Sequence, residues 1–233
     1  MTAHRELIND IRTTLPQYAD TERAAQQQRY LKTDEAMLGL RIPELRKLIQ
    51  TATRSHAPQG LKRTELLDTA RELWDEATHR EYRRGAIILL LLPKHAKLLD
   101  STAMDLVEHF VRTGEWWDLV DECVHTHNHV RANVGITGAE LEHQRMLDWA
   151  QDPSVWIRRY AILCQLQAKG HTDTQLLAQV IELNLGEKEF FIAKAIGWAL
   201  RDYGRTNPQW VRDFIASHPT MQPLSVREAS KHL

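Results

Sequence analysis

The stretch Trp156-Ile157-Arg158-Arg159-Tyr160-Ala161-Ile162 carries the pattern on which this chain is built: an aromatic residue, two arginines, then small and aliphatic residues. The same pattern occurs earlier at residues 81–87 (EYRRGAI), and a weaker copy follows at residues 191–196 (FIAKAI). In each copy, apolar residues return every three or four positions, which is the period of one face of an α-helix. The repetition therefore predicts that one kind of helix is used several times.

The spacing of the copies fits stacked pairs of helices. With six residues taken as equivalent, the steps are 38, 37, 38, 34 and 35 residues. Pairs with this period are typical of HEAT repeats, which stack into a solenoid. With no alternating strand pattern, the sequence predicts an all-α fold, a curved right-handed solenoid of about six HEAT-like helix pairs forming one domain over residues 1–233. The equivalent residues are Arg46, Arg84, Asp121, Arg159, Ala193 and Glu228.

Helix positions follow from the apolar period and from proline and glycine at the expected ends. Pro43 lies where the first turn of a helix is expected, and Pro93 is interpreted as a helix stop. The predicted helices are 6–15, 21–31, 42–49, 63–74, 80–92, 98–111, 116–127, 138–150, 155–168, 173–184, 188–203 and 208–218.

Charge is balanced overall but clustered in the repeats. The chain has 30 basic and 31 acidic residues, so its net charge of -1 gives no general polyanion-binding signature. Stacking would nevertheless align Arg46, Arg84 and Arg159 on the inner wall. Asp121 would be the one negatively charged residue among them. Such a cationic groove could cradle a polyanion. The alternative is that these arginines pair with acidic residues of neighbouring repeats.

A second cationic surface is predicted near the C-terminus. Lys194, Trp198, Arg201 and Arg205 are separated by four, three and four residues, so they share one face of a helix. A tryptophan among cations is typical of a surface that binds nucleic acid. The alternative is that Trp198 packs inside its repeat.

The stretch at residues 114–122 (GEWWDLVDE) offers an indole beside a carboxylate. Trp117 and Asp121 are four residues apart, so a helix would place them on the same face. An aromatic ring face and a negative charge together favour binding of a cationic ligand. The alternative is a tryptophan in the core and aspartates in a solvated first turn.

Other classes of protein are disfavoured. Cys123 and Cys164 are too few for a disulfide framework, and their apolar neighbours favour a place in the core. Alternate residues of the run His125–His129 point in different directions on a helix, so we expect no metal site, and we expect no cofactor. The first eleven residues lack a signal-peptide pattern, and the longest apolar run is too short to span a membrane. We expect a soluble cytoplasmic monomer, close to the nucleoid in a prokaryote.

Four phrases, in this order, carry a family resemblance. They are residues 30–32 (YLK) with 38–46 (LGLRIPELR), then 116–121 (WWDLVD), 156–162 (WIRRYAI) and 190–201 (FFIAKAIGWALR). Together they resemble the AlkD family of HEAT-like alkylpurine DNA glycosylases, over about residues 28–203. The resemblance implies excision of cationic N3- and N7-alkylated purines from duplex DNA.

The resemblance also assigns residues. Trp117, Trp198 and Asp121 match the family's lesion-facing cleft, and its third motif supplies a basic residue that maps to Arg159 or to Arg158. Basic side chains of the concave face contact the DNA backbone in the family. The predicted nucleic-acid-binding residues are Arg159, Arg158, Arg46, Arg84, Lys194, Arg201, Arg205 and Tyr30.

The expected chemistry is hydrolysis of a glycosidic bond whose leaving group already carries positive charge. Asp121 would stabilise an oxocarbenium-like sugar and orient water, while the indoles hold the sugar and lesion. No lysine is evidently placed to form a Schiff base, so we expect a monofunctional enzyme. The resemblance implies that the lesion stays stacked in the duplex, with bulky adducts as an open possibility.

Departures from the family pattern leave two alternatives. Acidic Asp34 and Glu35 stand where aromatic residues are frequent, Ala193 replaces a polar residue, and residues 82–85 (YRRG) are unusually basic. The first alternative is a non-catalytic protein that binds distorted or branched DNA. The second, which the neutral net charge suggests, is a HEAT scaffold that binds another protein.

Overall fold

The computed structural model describes residues 3–233, apart from the side chain of His232, and is helical with no strand in that range. Met1 and Thr2, which the predicted domain includes, lie outside the described residues. Short 3-10 turns occupy Leu15–Tyr18, Lys169–His171 and Ser230–His232. The α-helices are α1 Arg5–Thr14, α2 Thr21–Leu31, α3 Ile42–His56, α4 Arg63–Asp75, α5 Arg80–Leu90, α6 Pro93–Ala96, α7 Ser101–Gly114, α8 Trp117–Cys123, α9 His125–Asn133, α10 Gly135–Trp149, α11 Val155–Leu163, α12 Thr174–Glu182, α13 Phe190–Gly204, α14 Pro208–Ser217 and α15 Pro223–Ala229.

Local sequence explains where many helices begin. Asp20, Asp173 and Asn207 precede α2, α12 and α14, and their side chains accept backbone N–H groups of the first turn. These bonds satisfy donors that the helix itself leaves unpaired. Proline occupies the first turn of α3, α6, α14 and α15, where its missing N–H costs nothing. The all-α prediction is therefore confirmed, with most helices close to their predicted places.

The structure differs from the predicted helices in several places. The single helix expected over 116–127 is divided at Val124 into α8 and α9. Pro93, interpreted as a stop, instead begins the one-turn helix α6, because proline is tolerated at the first helical position. The sequence analysis also placed no helix over Pro223–Ala229, where α15 lies.

The described chain forms two compact units, residues 1–106 and 107–233, and the boundary falls inside α7. In the first unit, α4 packs on α5, and α3 packs on both α1 and α5. Its fully buried side chains include Leu7, Ile49, Leu66 and Trp74. The apolar face of α5 thus supplies much of this core.

Glu81 anchors the loop that carries the LGLRIPELR phrase. Its buried carboxylate accepts the backbone N–H groups of Leu38, Gly39 and Leu40 at 2.9, 2.7 and 3.2 Å. Gly39 has φ of 83°, and a Cβ there would lie 2.2 Å from the carbonyl oxygen of Asp20. The glycine is thus required both by its backbone conformation and by a close backbone approach.

The acidic Glu35 is paired with two arginines. It accepts from Arg80 at 2.5 Å and from Arg83 at 2.8 Å, so it pairs with one arginine of the basic run 82–85 and with Arg80, which precedes that run. The Arg83 guanidinium also lies 5.5 Å from the centroid of the Trp74 ring. Glu35 is therefore an internal partner for these cations in the structure.

The second unit is centred on α13. That helix packs against α11, α14 and α15, and α11 packs in turn against α8. Gly197 permits the close approach of α15, because a Cβ at this position would lie 2.4 Å from the Glu228 Cβ. Ser225 fixes the same pair of helices by donating to the Ala193 carbonyl at 2.8 Å.

Candidate active site

Asp121 on α8 and Arg159 on α11 form a paired, two-point contact. The Arg159 Nε donates to Asp121 Oδ1 at 2.8 Å, and Nη2 donates to Oδ2 at 2.7 Å. This fork-to-fork arrangement is the strongest geometry available to arginine and a carboxylate. It fixes the orientation of the carboxylate by a residue from another helix.

Arg159 is held from three sides. Its third donor, Nη1, reaches the Phe191 carbonyl oxygen at 2.7 Å, and its guanidinium carbon lies 5.3 Å from the Trp198 ring centroid. Only 2% of the Arg159 side chain is exposed, compared with 17% for Asp121. The pair therefore presents its acidic member to solvent and keeps its basic member inside.

The protonation of Asp121 reflects two opposing influences. Burial raises the pKa of the Asp121 carboxyl above its usual value, and the hydrogen bonds from Arg159 oppose that rise. Asp118, on the same helix, adds to the rise by repulsion. Arg159 thus favours the ionised form of Asp121, whose carboxylate is largely removed from water.

Cations surround the Trp198 indole. Lys194 Nζ lies 5.3 Å and the Arg201 guanidinium carbon 5.8 Å from the ring centroid, in addition to Arg159. Both of these α13 cations pair with Glu228 of α15, at 3.0 and 3.1 Å. The predicted shared face of α13 is therefore present for Lys194, Trp198 and Arg201, but its cations are tied to an acid that the sequence analysis did not include in the site.

An aromatic cluster adjoins the pair. The rings of Trp116, Trp156 and Phe191 lie with centroids 4.9 to 5.6 Å apart. Trp116 is the N-cap of α8, and Phe191 also supplies the carbonyl oxygen that holds Arg159. The cluster thus links the start of α8 to α11 and α13. In the sequence, only the aromatic residues of the family phrases pointed to it.

Trp117 and Asp121 lie four residues apart within the helix α8, as the sequence predicted. Trp117 is partly exposed. Its indole and the Asp121 carboxylate are therefore on the same side of a short helix whose apolar residues Leu119, Val120 and Cys123 are buried.

The remaining predicted DNA-binding residues are less uniform. Arg158 lies on another side of α11 from Arg159, where it pairs with Glu187 at 2.9 Å and donates to the carbonyl of Asp152 at 2.8 Å. Arg84 is buried, although the basic stripe predicted it at the surface of a groove. Arg46, Arg205 and Tyr30 are exposed.

The two cysteines and His127 belong to the core. Cys123 and Cys164 are buried, as predicted, and burial raises the pKa of the Cys164 thiol to about 12. His127 donates to the Cys164 carbonyl oxygen at 3.2 Å, and burial lowers its pKa to about 3, so it is neutral. Among residues 3–233, no group of three potential ligands is arranged for a metal ion, and no helix is long and apolar enough to cross a bilayer.

Comparisons with known proteins agree with this fold. Residues 11–233 match the model of a family described as DNA alkylation repair enzyme. A solved structure of a predicted DNA alkylation repair enzyme from Enterococcus faecalis is 30% identical, with a TM-score of 0.79 over 92% of this chain and 96% of that one. The structure of smu.31 from Streptococcus mutans UA159 shares the fold at 13% identity, with a TM-score of 0.60 over 94% of this chain and 100% of the other. No curated protein sequence matches.

Proposed function

Because the chain belongs to the family of DNA alkylation repair enzymes, and so has a role in DNA repair, we propose that it is a monofunctional DNA glycosylase. Its substrates would be cationic N3- and N7-alkylated purines in duplex DNA. The observation that carries this proposal is the partly exposed Asp121 carboxylate, fixed at two points by buried Arg159 beside Trp198.

The substrate chemistry defines what such a site must do. An alkylated purine already carries positive charge, so it departs without protonation by a general acid. As the glycosidic bond stretches, positive charge develops on the deoxyribose, as in other glycoside hydrolyses. A fixed carboxylate beside that sugar stabilises the charge and can accept a hydrogen bond from the attacking water.

Asp121 has the capacity for this role while it remains paired. A carboxylate offers about four lone-pair positions, and Arg159 uses two of them. The remaining positions are available to a sugar or a water molecule on the exposed side. In this proposal Arg159 keeps Asp121 ionised and oriented, and does not itself contact DNA.

The tryptophans have different proposed roles. Trp117 shares the face of α8 with Asp121 and would contact the deoxyribose or the lesion. Trp198 already has three cations within 6 Å of its ring centroid, so it is poorly suited to receive another one. We assign it to supporting Arg159 and to contacting the sugar and backbone of DNA.

The decisive experiment measures release of free base from a duplex that contains N7-methylguanine. The native chain is expected to release the base, and Asp121→Asn to lower the single-turnover rate by about two to three powers of ten, since lost preorganised stabilisation typically has that size. Asp213→Asn makes the same chemical change at an exposed position and should leave the rate unchanged. Equal rates for native protein and Asp121→Asn would contradict the assignment.

A non-catalytic protein that binds distorted DNA is the second candidate. Its support is that Arg159 partly neutralises Asp121, which weakens the field that the carboxylate offers a developing cation. Tight binding of the modified duplex without base release would favour this alternative.

A further inference from the structure

Glu228, near the C-terminus, is an acid placed among the cations of the candidate site. Its carboxylate contacts Lys194 Nζ at 3.0 Å, Arg201 Nη1 at 3.1 Å and Lys231 Nζ at 2.7 Å. Only 5% of its side chain is exposed. The hydrogen bond from Lys231, followed by that from Lys194, lowers the pKa of the Glu228 carboxyl to about 2, so it is ionised at neutral pH.

Two of these cations flank Trp198 on the same helix. Lys194 precedes Trp198 by four residues and Arg201 follows it by three, so all three share one face of α13. Each cation also lies within 6 Å of the indole centroid. One carboxylate therefore holds two long side chains that would otherwise repel each other and sample many rotamers.

The arrangement leaves donors available for a ligand. An ammonium has three N–H donors and a guanidinium five, whereas the structure gives each of these two cations a single hydrogen bond to Glu228. Lys194 and Arg201 are 22% and 24% exposed in their side chains. The cluster retains an excess of positive charge and can still bind a phosphate group.

The packing of α15 makes this placement possible. Gly197 lets the Glu228 Cβ and the Ser225 carbonyl oxygen approach α13 closely, and the Ser225 hydroxyl donates to the Ala193 carbonyl one turn away. Ala193, a departure from the family pattern, is accordingly a contact point for α15.

We infer that Glu228 is a positioning residue. It holds Lys194 and Arg201, which precede and follow Trp198 on α13, and thereby fixes the orientation of the indole. It also places both cations where they can contact the DNA backbone beside Asp121. This inference rests on the proposed function for its effect on rate. Its effect on Trp198 is independent of that function.

The test combines ¹⁹F NMR with kinetics on the full chain. The seven tryptophans are labelled as 5-fluorotryptophan, and the Trp198 resonance is identified by its loss in Trp198→Phe. In Glu228→Gln this resonance should shift or broaden. At saturating modified duplex the single-turnover rate should fall about tenfold through misplacement of site groups, while DNA affinity stays equal or increases because a negative charge is lost.

Matched controls separate positioning from charge and from loosening of α15. Glu140→Gln makes the same charge change at an exposed position of α10 and should alter none of these measurements. Ser225→Ala removes another α13–α15 link, so it should lower the thermal midpoint and leave the Trp198 resonance in place. A rate fall that came only from weaker DNA binding would overturn the inference.

The outcomes remain separable from the proposed function. If the native chain releases no base, the glycosylase proposal fails, and the Trp198 resonance alone decides the role of Glu228. An unmoved resonance in folded Glu228→Gln overturns the inference. If that variant does not fold, Lys194→Gln and Arg201→Gln each remove one link, and unmoved resonances in both overturn it equally.

Discussion

At the scale of single residues, the character of the site lies in the division of burial between Asp121 and Arg159. The Asp121 side chain is partly exposed and the Arg159 side chain is buried. The pair therefore presents a carboxylate whose position is fixed by a buried guanidinium. Removing one partner of such a pair leaves the other charge buried and uncompensated. This destabilises a protein more than replacing both partners with apolar residues.

This division predicts the pH dependence of base release. In the proposed mechanism Asp121 must be ionised, so the rate of base release should fall as the pH drops through the pKa of Asp121, which burial raises and the hydrogen bonds from Arg159 lower. In Arg159→Met the opposing influence is gone, the pKa rises further, and the acid limb of the single-turnover pH–rate profile should move to higher pH. The test compares this profile with that of the native chain.

The adjacent arginine provides the control. Arg158→Met removes a side chain whose partners are Glu187 and nearby backbone carbonyls, not Asp121. Its acid limb should stay at the native pH. Coincident limbs for Arg159→Met and the native chain would show that Asp121 is not the group that titrates.

At the scale of helices, the close packing of α13 and α15 depends on a missing side chain. In Gly197→Ala, the new methyl group would meet Glu228 Cβ at 2.4 Å and the Ser225 carbonyl oxygen at 2.9 Å. Overpacking of this kind typically costs about 1–3 kcal/mol in the free energy of unfolding. Denaturant titration should show this loss, and hydrogen exchange should increase along α15.

Gly186→Ala is the matched substitution, since nothing lies within 4 Å of a Cβ built there. It should leave both measurements near their native values. Equal stability of the two variants would mean that α15 moves away from α13 without cost.

The helices also show what the sequence could and could not predict. The apolar period, with proline and glycine at the expected ends, located most of them because these signals lie within each helix and its flanking residues. The helix α15 packs on α13, a segment distant in sequence, and the local pattern did not predict it. The division at Val124 was also missed. Likewise, helical spacing and the family phrases pointed to Asp121 and Trp198 as candidate site residues, whereas Glu228 enters the candidate site only through its placement beside α13.

At the scale of the whole chain, near-zero net charge coexists with a local cluster of cations around Trp198 in the second unit. The groups proposed as active-site and positioning residues, Trp117, Asp121, Arg159, Trp198 and Glu228, all belong to residues 107–233. Within this unit the cations of α13 are balanced by only one close acid. Binding should therefore be governed by local charge and not by the total.

This distribution predicts a steep salt dependence for duplex binding. Each phosphate neutralised contributes about −0.9 to the slope of log K against log salt concentration, so three contacts would give about −2.7. Fluorescence anisotropy of labelled duplex across a salt series measures that slope. A flat line would favour a protein-binding scaffold and contradict a DNA partner.

The pairing of Glu35 with Arg80 and Arg83 has a consequence for how substitutions in the first unit combine. Considered one position at a time, Glu35 and Arg83 are two separate features of the sequence. Considered together, they are an ion pair, so we expect the effects of substituting them on the free energy of unfolding to be non-additive.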